Sequence, residues 1–119
     1  MKVLVCGSRS WDNIHTIRMR ILSLPDNTEI IHGGASGADR TAACLAEDFG
    51  FTVREFKADW DGEGKSAGFK RNLRMLDESP DLVIAFWDGK SRGTRHTITE
   101  SRKRGIPVEV VEVSPPWLA

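Results

Sequence analysis

The chain has 119 residues, of which 39% are hydrophobic and 29% charged, and this ordinary globular composition excludes a fibrous or largely disordered protein. Its 17 Lys and Arg residues balance 17 Asp and Glu residues, which argues against a protein that coats nucleic acid, because such binding needs excess cationic charge. No apolar run is long enough for a membrane span or a signal peptide. We therefore predict one domain over residues 1–119, located in the cytoplasm and without membrane contact.

The first half of the chain predicts two strands and two helices in alternation. A β-branched run over residues 2–6 predicts a strand, and apolar residues at helical spacing over 14–24 predict a helix that ends at Pro25. A second strand is predicted over residues 29–32, immediately before a glycine-rich segment. The next helical stripe, over residues 42–49, is expected to begin with Asp39 as its cap and to end before Gly50.

The second half of the chain repeats this alternation. A strand over residues 52–56 is followed by a polar loop over 57–65, and Ser66 is predicted to cap a helix that ends before Pro80. The continuous apolar run over 82–86 predicts a strand buried on both faces. A loop over 87–93 leads to a helix over 94–104 and a last strand over 108–113, and Trp117 in the tail is expected to dock on the domain or to fray.

This order of elements predicts an α/β fold, namely a Rossmann-like three-layer sandwich with a parallel sheet of about five strands and helices on both faces. Consecutive strands joined by helices need crossover connections, which make the sheet parallel. Right-handed crossovers then distribute the helices over both faces. In such a sheet a ligand binds outside the carboxyl ends of the strands, where the strand order reverses.

A glycine-rich segment after the second predicted strand is the strongest local signal for a ligand. Glycines let backbone amides approach an anion closely, and the start of the following helix offers free N–H groups at the positive end of its dipole. We therefore predict a phosphate-binding loop, although a tight strand–helix turn without a ligand is the alternative. The predicted contacts are Gly33, Gly34, Ala35, Ser36, Gly37 and Asp39.

Three further strand ends are expected on the same rim of the sheet. The segment after the fourth strand repeats the logic of the glycine-rich loop at another helix start, with Asp88, Gly89, Ser91, Gly93 and Thr94 as predicted ligand contacts. Gly7, Ser8 and Arg9 follow the first strand and are predicted contacts as well. Trp60 and Trp87 are candidates for stacking on a nucleotide base, with packing in the core or in a lid as the alternative.

Several familiar sites are not expected. An NTPase P-loop ending at Lys65 and Ser66 would need a glycine where Asp59 stands, and no G-x-G-x-x-G motif follows the first strand. No metal site is predicted, because His32 and His96 have no partner at ligand spacing, and no cofactor is identified beyond a nucleotide ligand. The cysteines at positions 6 and 44 are expected to be buried free thiols.

Five ordered motifs resemble the SLOG superfamily, the Rossmann-like domains named for the SMF/DprA and LOG proteins, and within it the small single-domain branch related to YspA and YpsA. The motifs occupy residues 7–9, 33–40, 58–60, 67–72 and 85–94, and the resemblance extends over about residues 2–111. It implies binding of a nucleotide or a nucleotide derivative, with the glycine-rich loops as the phosphate cradle. It also implies a sensor role, since several members are ligand sensors, and a homodimer, since related domains often pair.

The resemblance to LOG enzymes, which are phosphoribohydrolases, implies roles for particular residues. Arg71 matches the arginine of the LOG R-K-x-x-M helix, and Asn72 replaces its lysine; both are expected to contact the ligand. The glutamate of the LOG glycine-rich motif falls on Thr97, and Glu100 lies three residues later. If the chain is an enzyme, the implied reaction is hydrolysis of a nucleoside 5′-monophosphate at its N-glycosidic bond, with Arg71 and Glu100 as the catalytic residues.

Three functions therefore stay open at this point. The first is a nucleotide-binding sensor module, and the second is the LOG-like N-glycosidase. The third is binding of single-stranded DNA, which the DprA relatives perform, although the zero net charge does not favour nucleic acid as a partner.

Overall fold

The computed structural model describes residues 1–112, and its strands form one parallel five-stranded sheet. The strands are β1 (Lys2–Gly7), β2 (Glu29–His32), β3 (Thr52–Glu55), β4 (Leu82–Trp87) and β5 (Val108–Glu112). Their order across the sheet is β3-β2-β1-β4-β5, and every neighbouring pair runs parallel. The Rossmann-like α/β prediction is confirmed, whereas Val113 and the tail with Trp117 lie outside the described residues.

Five helices connect these strands: α1 (Ile14–Leu22), α2 (Ala38–Asp48), α3 (Trp60–Glu63), α4 (Ala67–Leu76) and α5 (Arg92–Lys103). The loop predicted over residues 57–65 thus contains the short helix α3, followed by a 3-10 turn at Gly64–Ser66. The Asp59 carboxylate begins α3 by accepting a hydrogen bond from the Gly62 amide at 2.9 Å. Apolar periodicity cannot reveal a helix of one polar turn, which explains why the sequence predicted a loop there.

The helix starts differ from the predicted ones at two places. Gly37 is the N-cap of α2, so the prediction that Asp39 caps this helix is wrong; its carboxylate turns back to the preceding loop instead. Ser66 is the N-cap residue of α4 as predicted, although its hydroxyl donates to the Glu63 carbonyl at 3.0 Å and makes no capping hydrogen bond. Helix α5 begins two residues earlier than predicted, because Ser91 caps it.

Two apolar clusters fill the space between the sheet and the helices. On β1 the alternation of side chains places Val3 and Val5 against α1 and α2, and Leu4 and Cys6 against α4 and α5. The helices therefore lie on both faces of the sheet, which gives the three predicted layers. Cys6 is buried as predicted, whereas the prediction for Cys44 is wrong, because it lies exposed on the outer side of α2.

The two central strands come from distant parts of the chain. Val3 of β1 is paired with Leu82 of β4, and Gly7 at the end of β1 with Phe86. On its other side β1 pairs with β2, so the order of strands reverses between β1 and β4. At the carboxyl ends the Ser8 amide donates to the Phe86 carbonyl at 2.9 Å. The crevice expected for a ligand therefore opens beside the residues that follow these two strands.

Candidate functional site

Two adjoining cavities lie at the carboxyl edge of the sheet. The inner cavity, of about 310 Å³, is lined by Cys6, Gly7, Arg9, Ala35, Asp39, Trp60, Lys65, Gly68, Phe69, Arg71, Asn72, Met75, Ser91, Gly93, Thr94 and Thr97. The outer cavity, of about 400 Å³, is lined by Arg9, Gly33, Gly34, Ala35, Ser36, Arg40, Glu55, Lys57, Ala58, Trp60 and Arg71. They share Arg9, Ala35, Trp60 and Arg71 as a common wall. Most of the predicted ligand contacts are thus gathered around one site.

The glycine-rich loop after β2 is held in place by two buried side chains. Oδ2 of Asp39 accepts hydrogen bonds from the amides of Gly33 and Ala35, both at 3.3 Å, and Nδ1 of His32 accepts one from the Gly34 amide at 3.0 Å. Three amides of the predicted phosphate loop therefore already have acceptors within the chain. Ser36 keeps an amide without an acceptor among residues 1–112 and lines the outer cavity, so this amide can donate to a phosphate there.

Gly7 and Gly37 allow the loop after β1 to pack against the start of α2. A Cβ atom on Gly7 would lie 2.5 Å from that of Ala38, and one on Gly37, whose φ is +84°, would lie 2.5 Å from the Arg9 carbonyl oxygen. The Ala38 amide donates to the Ser8 carbonyl at 3.2 Å across this contact. Close packing of backbones accounts for both glycines, and their contact with a ligand stays a prediction.

Arg71 and Asn72 on α4 link the two loops that border the inner cavity. Nη1 of Arg71 donates to the Gly33 carbonyl at 2.6 Å, and its Nε donates to Oδ1 of Asn72 at 3.0 Å. Nδ2 of Asn72 lies 3.4 Å from the Gly93 carbonyl oxygen and 3.3 Å from Nδ1 of His96. We call this chain of hydrogen bonds the Arg71–Asn72 bridge. It connects the glycine-rich loop after β2 to the start of α5.

The bridge changes what these two residues can offer a ligand. Asn72 is only 4% exposed and its amide is already engaged, so direct contact with a ligand, as predicted, would require it to exchange partners. Arg71 is half-buried and keeps Nη2 without an acceptor in the described part of the chain, so it can still donate into either cavity. Burial lowers the pKa of Arg71, and the Asp39 carboxylate acts in the opposite direction.

Asp88 organises the turn that precedes α5. Its Oδ1 accepts hydrogen bonds from the amides of Lys90 and Ser91, both at 2.8 Å, and its Oδ2 accepts one from the Ser10 hydroxyl at 2.9 Å. These backbone amides are the main reason that the pKa of Asp88 is lowered to about 2. Asp88 and Gly89 border a separate small cavity, so they support the turn from outside the two cavities described above.

The start of α5 presents free donors to the inner cavity. The amides of Arg92 and Gly93 have no acceptor among the residues that the structure describes, as expected for the first turn of a helix. The hydroxyls of Ser91 and Thr94 lie 3.1 Å apart, and both residues line the cavity. Nothing lies within 4 Å of where a Cβ of Gly93 would be, so a ligand can approach this backbone closely. The positive end of the helix dipole adds to the attraction for an anion.

Two exposed aromatic rings line the inner cavity. Trp60 is 57% exposed and Phe69 45% exposed, and the Phe69 ring stacks on His96 with centroids 4.4 Å apart. Phe69 was missed as a candidate, because an apolar residue within a helical stripe looks like a core residue in the sequence. Trp87 has a different environment, since its Nε1 donates to the Ser91 carbonyl at 3.1 Å and Arg95 lies over its ring.

The carboxylate next to the inner cavity is Asp39 and not Glu100. Glu100 does not line either cavity, and its half-buried side chain pairs with Lys103 at 3.3 Å on the same helix. Thr97 faces the cavity instead, and its hydroxyl donates to the Gly93 carbonyl at 3.3 Å. Asp39 is 4% exposed and belongs to the cavity wall. The sequence analysis counted Asp39 among the predicted ligand contacts, but it interpreted the side chain as a helix cap and did not predict that the carboxylate holds the loop amides.

Residues 1–112 contain no group of three or more His, Cys, Asp and Glu side chains that could hold a metal ion. No helix in that range combines the length and the apolar character needed to cross a bilayer. The homodimer and the cytoplasmic location stay predictions.

Sequence comparison gives two matches. The family model described as the YspA, cpYpsA-related SLOG family matches residues 1–62. The gene 61 protein of Mycobacterium phage D29 is 39% identical over 116 residues, which cover 90% of this chain and 93% of the phage protein. The relative is therefore similar over almost its entire length.

Two solved structures share the architecture. DNA processing protein A (DprA) from Streptococcus pneumoniae has a TM-score of 0.81 at 20% identity, over 97% of this chain and 51% of that one. UDP-GlcNAc 2-epimerase from Neisseria meningitidis has a TM-score of 0.54 at 16% identity, over 93% of this chain and 32% of that one. The chain thus spans about half the length of DprA and a third of the epimerase. At these identities the similarity shows the fold alone.

Proposed function

The chain belongs to the YspA, cpYpsA-related SLOG family, and from this membership and the geometry of the site we propose that it binds a nucleoside phosphate in the inner cavity as a sensor module. The observation that carries the proposal is the start of α5. There, the free amide of Gly93 and the hydroxyls of Ser91 and Thr94 border the same cavity as two exposed aromatic rings. A nucleoside phosphate has two ends that match these two environments.

The phosphate end is proposed to bind at the start of α5. The amide of Gly93 and the hydroxyls of Ser91 and Thr94 are suited to phosphate oxygens. An exposed helix N-terminus such as this one favours an anion by about 0.3–1 kcal/mol. Arg71 supports the same end, because its free Nη2 can donate to a phosphate in a geometry that arginine suits well.

The base is proposed to stack on an exposed aromatic ring. Trp60 and Phe69 both line the inner cavity, and large apolar rings that stay half exposed at a cavity often mark a ligand site. Stacking of one base on an aromatic ring contributes about 1–3 kcal/mol. The orientation that this implies puts the sugar between the aromatic rings and the start of α5.

Binding without hydrolysis is proposed over the N-glycosidase reaction. Glycosidic cleavage needs a carboxylate beside the scissile bond, and Glu100, the residue implied for this role, lines neither cavity and pairs with Lys103. The carboxylate that does line the inner cavity, Asp39, is 4% exposed and already accepts the amides of Gly33 and Ala35, so it holds the loop rather than activating water. A sensor needs only the recognition groups described above.

Binding of single-stranded nucleic acid is the second candidate function. The outer cavity has Arg9, Arg40, Lys57 and Arg71 around it, next to the exposed ring of Trp60. Cationic side chains beside a stacking platform are typical of grooves that bind single strands. The shared fold with the DNA-processing protein is compatible with this candidate. A strong decrease of oligonucleotide binding with rising salt would support it, and the absence of binding at low salt would exclude it.

The proposal is tested by calorimetry with AMP, GMP, CMP, UMP, ADP-ribose and NAD, followed by mass spectrometry of the incubated nucleotides. Arg9 lines both cavities, is exposed and makes no side-chain hydrogen bond within residues 1–112. Arg9→Gln is therefore expected to weaken binding about 5-fold without loss of stability, consistent with roughly 1 kcal/mol for an exposed charge. Arg18→Gln on the exposed side of α1 is the matched control.

Three results are informative. Intact nucleotide bound by the wild type, with weaker binding by the Arg9 variant only, supports the sensor module. Free base together with ribose 5-phosphate establishes the N-glycosidase. No binding of any of the six compounds by the folded wild type refutes the proposal.

A further inference from the structure

The carboxylate of Asp39 has two oxygens with different environments. Oδ2 accepts the amides of Gly33 and Ala35, whereas Oδ1 is buried and accepts no hydrogen bond from any residue in the range 1–112. Asp39 is 4% exposed and belongs to the wall of the inner cavity. A buried charged oxygen without a donor costs free energy, so an unpaired one beside a cavity calls for a partner from outside the chain.

The chain itself does not supply this partner. Nδ1 of His32 lies 3.5 Å from Oδ1. That nitrogen accepts the Gly34 amide at 3.0 Å, so its lone pair is in use and it carries no proton to donate to Asp39. Nδ1 of His32 and Oδ1 of Asp39 are therefore both hydrogen-bond acceptors, and Oδ1 receives no hydrogen bond from His32.

The chemistry of the cavity narrows the kind of partner. A phosphate would be repelled by the Asp39 carboxylate, and residues 1–112 offer no cluster of ligands for a metal ion. A neutral hydroxyl can donate to Oδ1 without either difficulty. In a nucleotide the hydroxyls belong to the sugar, which lies between base and phosphate.

We propose that Oδ1 of Asp39 accepts a hydrogen bond from the 2′- or the 3′-hydroxyl of a ribose, so that the inner cavity selects ribonucleotides over analogues that lack this hydroxyl. This inference rests on the proposed nucleotide binding and specifies which sugar the bound nucleotide carries. Oδ1 is shielded from solvent, so the inference requires the cavity wall over it to open for the hydroxyl. The bond then forms in surroundings of low dielectric constant, where a charged acceptor binds a donor strongly.

The first test uses the wild-type protein. AMP is compared by calorimetry with its 2′-deoxy and 3′-deoxy analogues and with the 2′-fluoro and 3′-fluoro analogues, which keep the size of the substituent but cannot donate. We expect the deoxy and fluoro analogues at one of the two positions to bind about 10- to 100-fold more weakly than AMP, the effect of one hydrogen bond to a charged group. Equal affinity for AMP and all four analogues overturns the inference and leaves nucleotide binding intact. No binding of AMP or any analogue overturns the proposed function as well.

The second test uses Asp39→Asn. The amide oxygen of asparagine can still accept from Gly33 and Ala35, while its NH₂ group replaces Oδ1 by a donor. We expect the variant to keep its melting temperature and to lose the preference for ribose. Asp48→Asn, at the exposed end of the same helix, is expected to retain it. If Asp39→Asn weakens all five nucleotides equally and keeps the preference, Asp39 only shapes the loop and the inference is wrong.

Discussion

Replacing Asn72 tests the Arg71–Asn72 bridge most directly. Asn72 is 4% exposed, and its Oδ1 accepts a hydrogen bond from Nε of Arg71 at 3.0 Å. Its Nδ2 makes two longer contacts, to the Gly93 carbonyl oxygen at 3.4 Å and to Nδ1 of His96 at 3.3 Å. In Asn72→Ala the Gly93 carbonyl keeps a donor, because the Thr97 hydroxyl still reaches it at 3.3 Å. The main loss is therefore the hydrogen bond from the charged Arg71 side chain.

One hydrogen bond to a charged group contributes about 1.5–3 kcal/mol, and the two long contacts add little. We expect Asn72→Ala to lower the free energy of unfolding by about 2 kcal/mol. For a chain of 119 residues this lowers the melting temperature by roughly 6 to 12 °C. Urea denaturation and thermal melting measure both quantities.

The control is Lys70→Ala on the exposed side of the same helix, where the change should stay within about 0.5 kcal/mol. If Asn72→Ala is as stable as this control, the bridge does not hold the two loops together. A second readout is hydrogen exchange of the Gly33 amide and the first turn of α5, which should both become faster in the variant.

Three further predictions concern other parts of the structure. Gly37→Ala should lower the free energy of unfolding by about 3 kcal/mol or more, because φ is +84° and the new Cβ would lie 2.5 Å from the Arg9 carbonyl oxygen; unchanged urea midpoints would contradict this. Burial raises the pKa of the Cys6 thiol, so iodoacetamide at pH 8 should modify only the exposed Cys44 in the folded protein. Detection of two adducts per folded chain by mass spectrometry would refute this prediction. The lowered pKa of Asp88 predicts stability that is present above its unfolded value near about 4 and lost as the pH falls towards 2; Asp88→Asn should flatten this part of the pH profile measured by urea denaturation.

The fold could be predicted from the sequence because its signals are local and repeated. The apolar run over residues 82–86 and the helical stripe of Ile17 and Ile21 follow the periods of a buried strand and an amphipathic helix. Helix α3 and the true start of α2 escaped prediction, because a single polar turn has no period and a capping carboxylate is recognised only by the amide it contacts.

The sequence predicted where the candidate site lies, but it predicted the roles of the individual residues less well. Glycines at strand ends located the cavities, since parallel strands end at the same edge. The Asp39 carboxylate accepts hydrogen bonds from the amides of the glycine-rich loop after β2, where a phosphate was predicted to bind. Asn72 connects this loop to the start of α5. Both contacts depend on the directions of side chains in the folded protein, which the sequence does not reveal. The sequence did not mark Phe69 as a ligand contact, because its exposure can be seen only in the folded protein.

The pairing of β1 with β4 also has a consequence for the order in which the protein is made. Val3 leaves the ribosome long before Leu82, its partner in the sheet, so β1 has a neighbour on one side only until β4 has been synthesised. The segment that matches the family model, residues 1–62, ends before β4 begins and would leave this central strand with an open edge. Nascent chains arrested before Leu82 should therefore stay sensitive to protease, and protection should appear in one late step once β4 emerges.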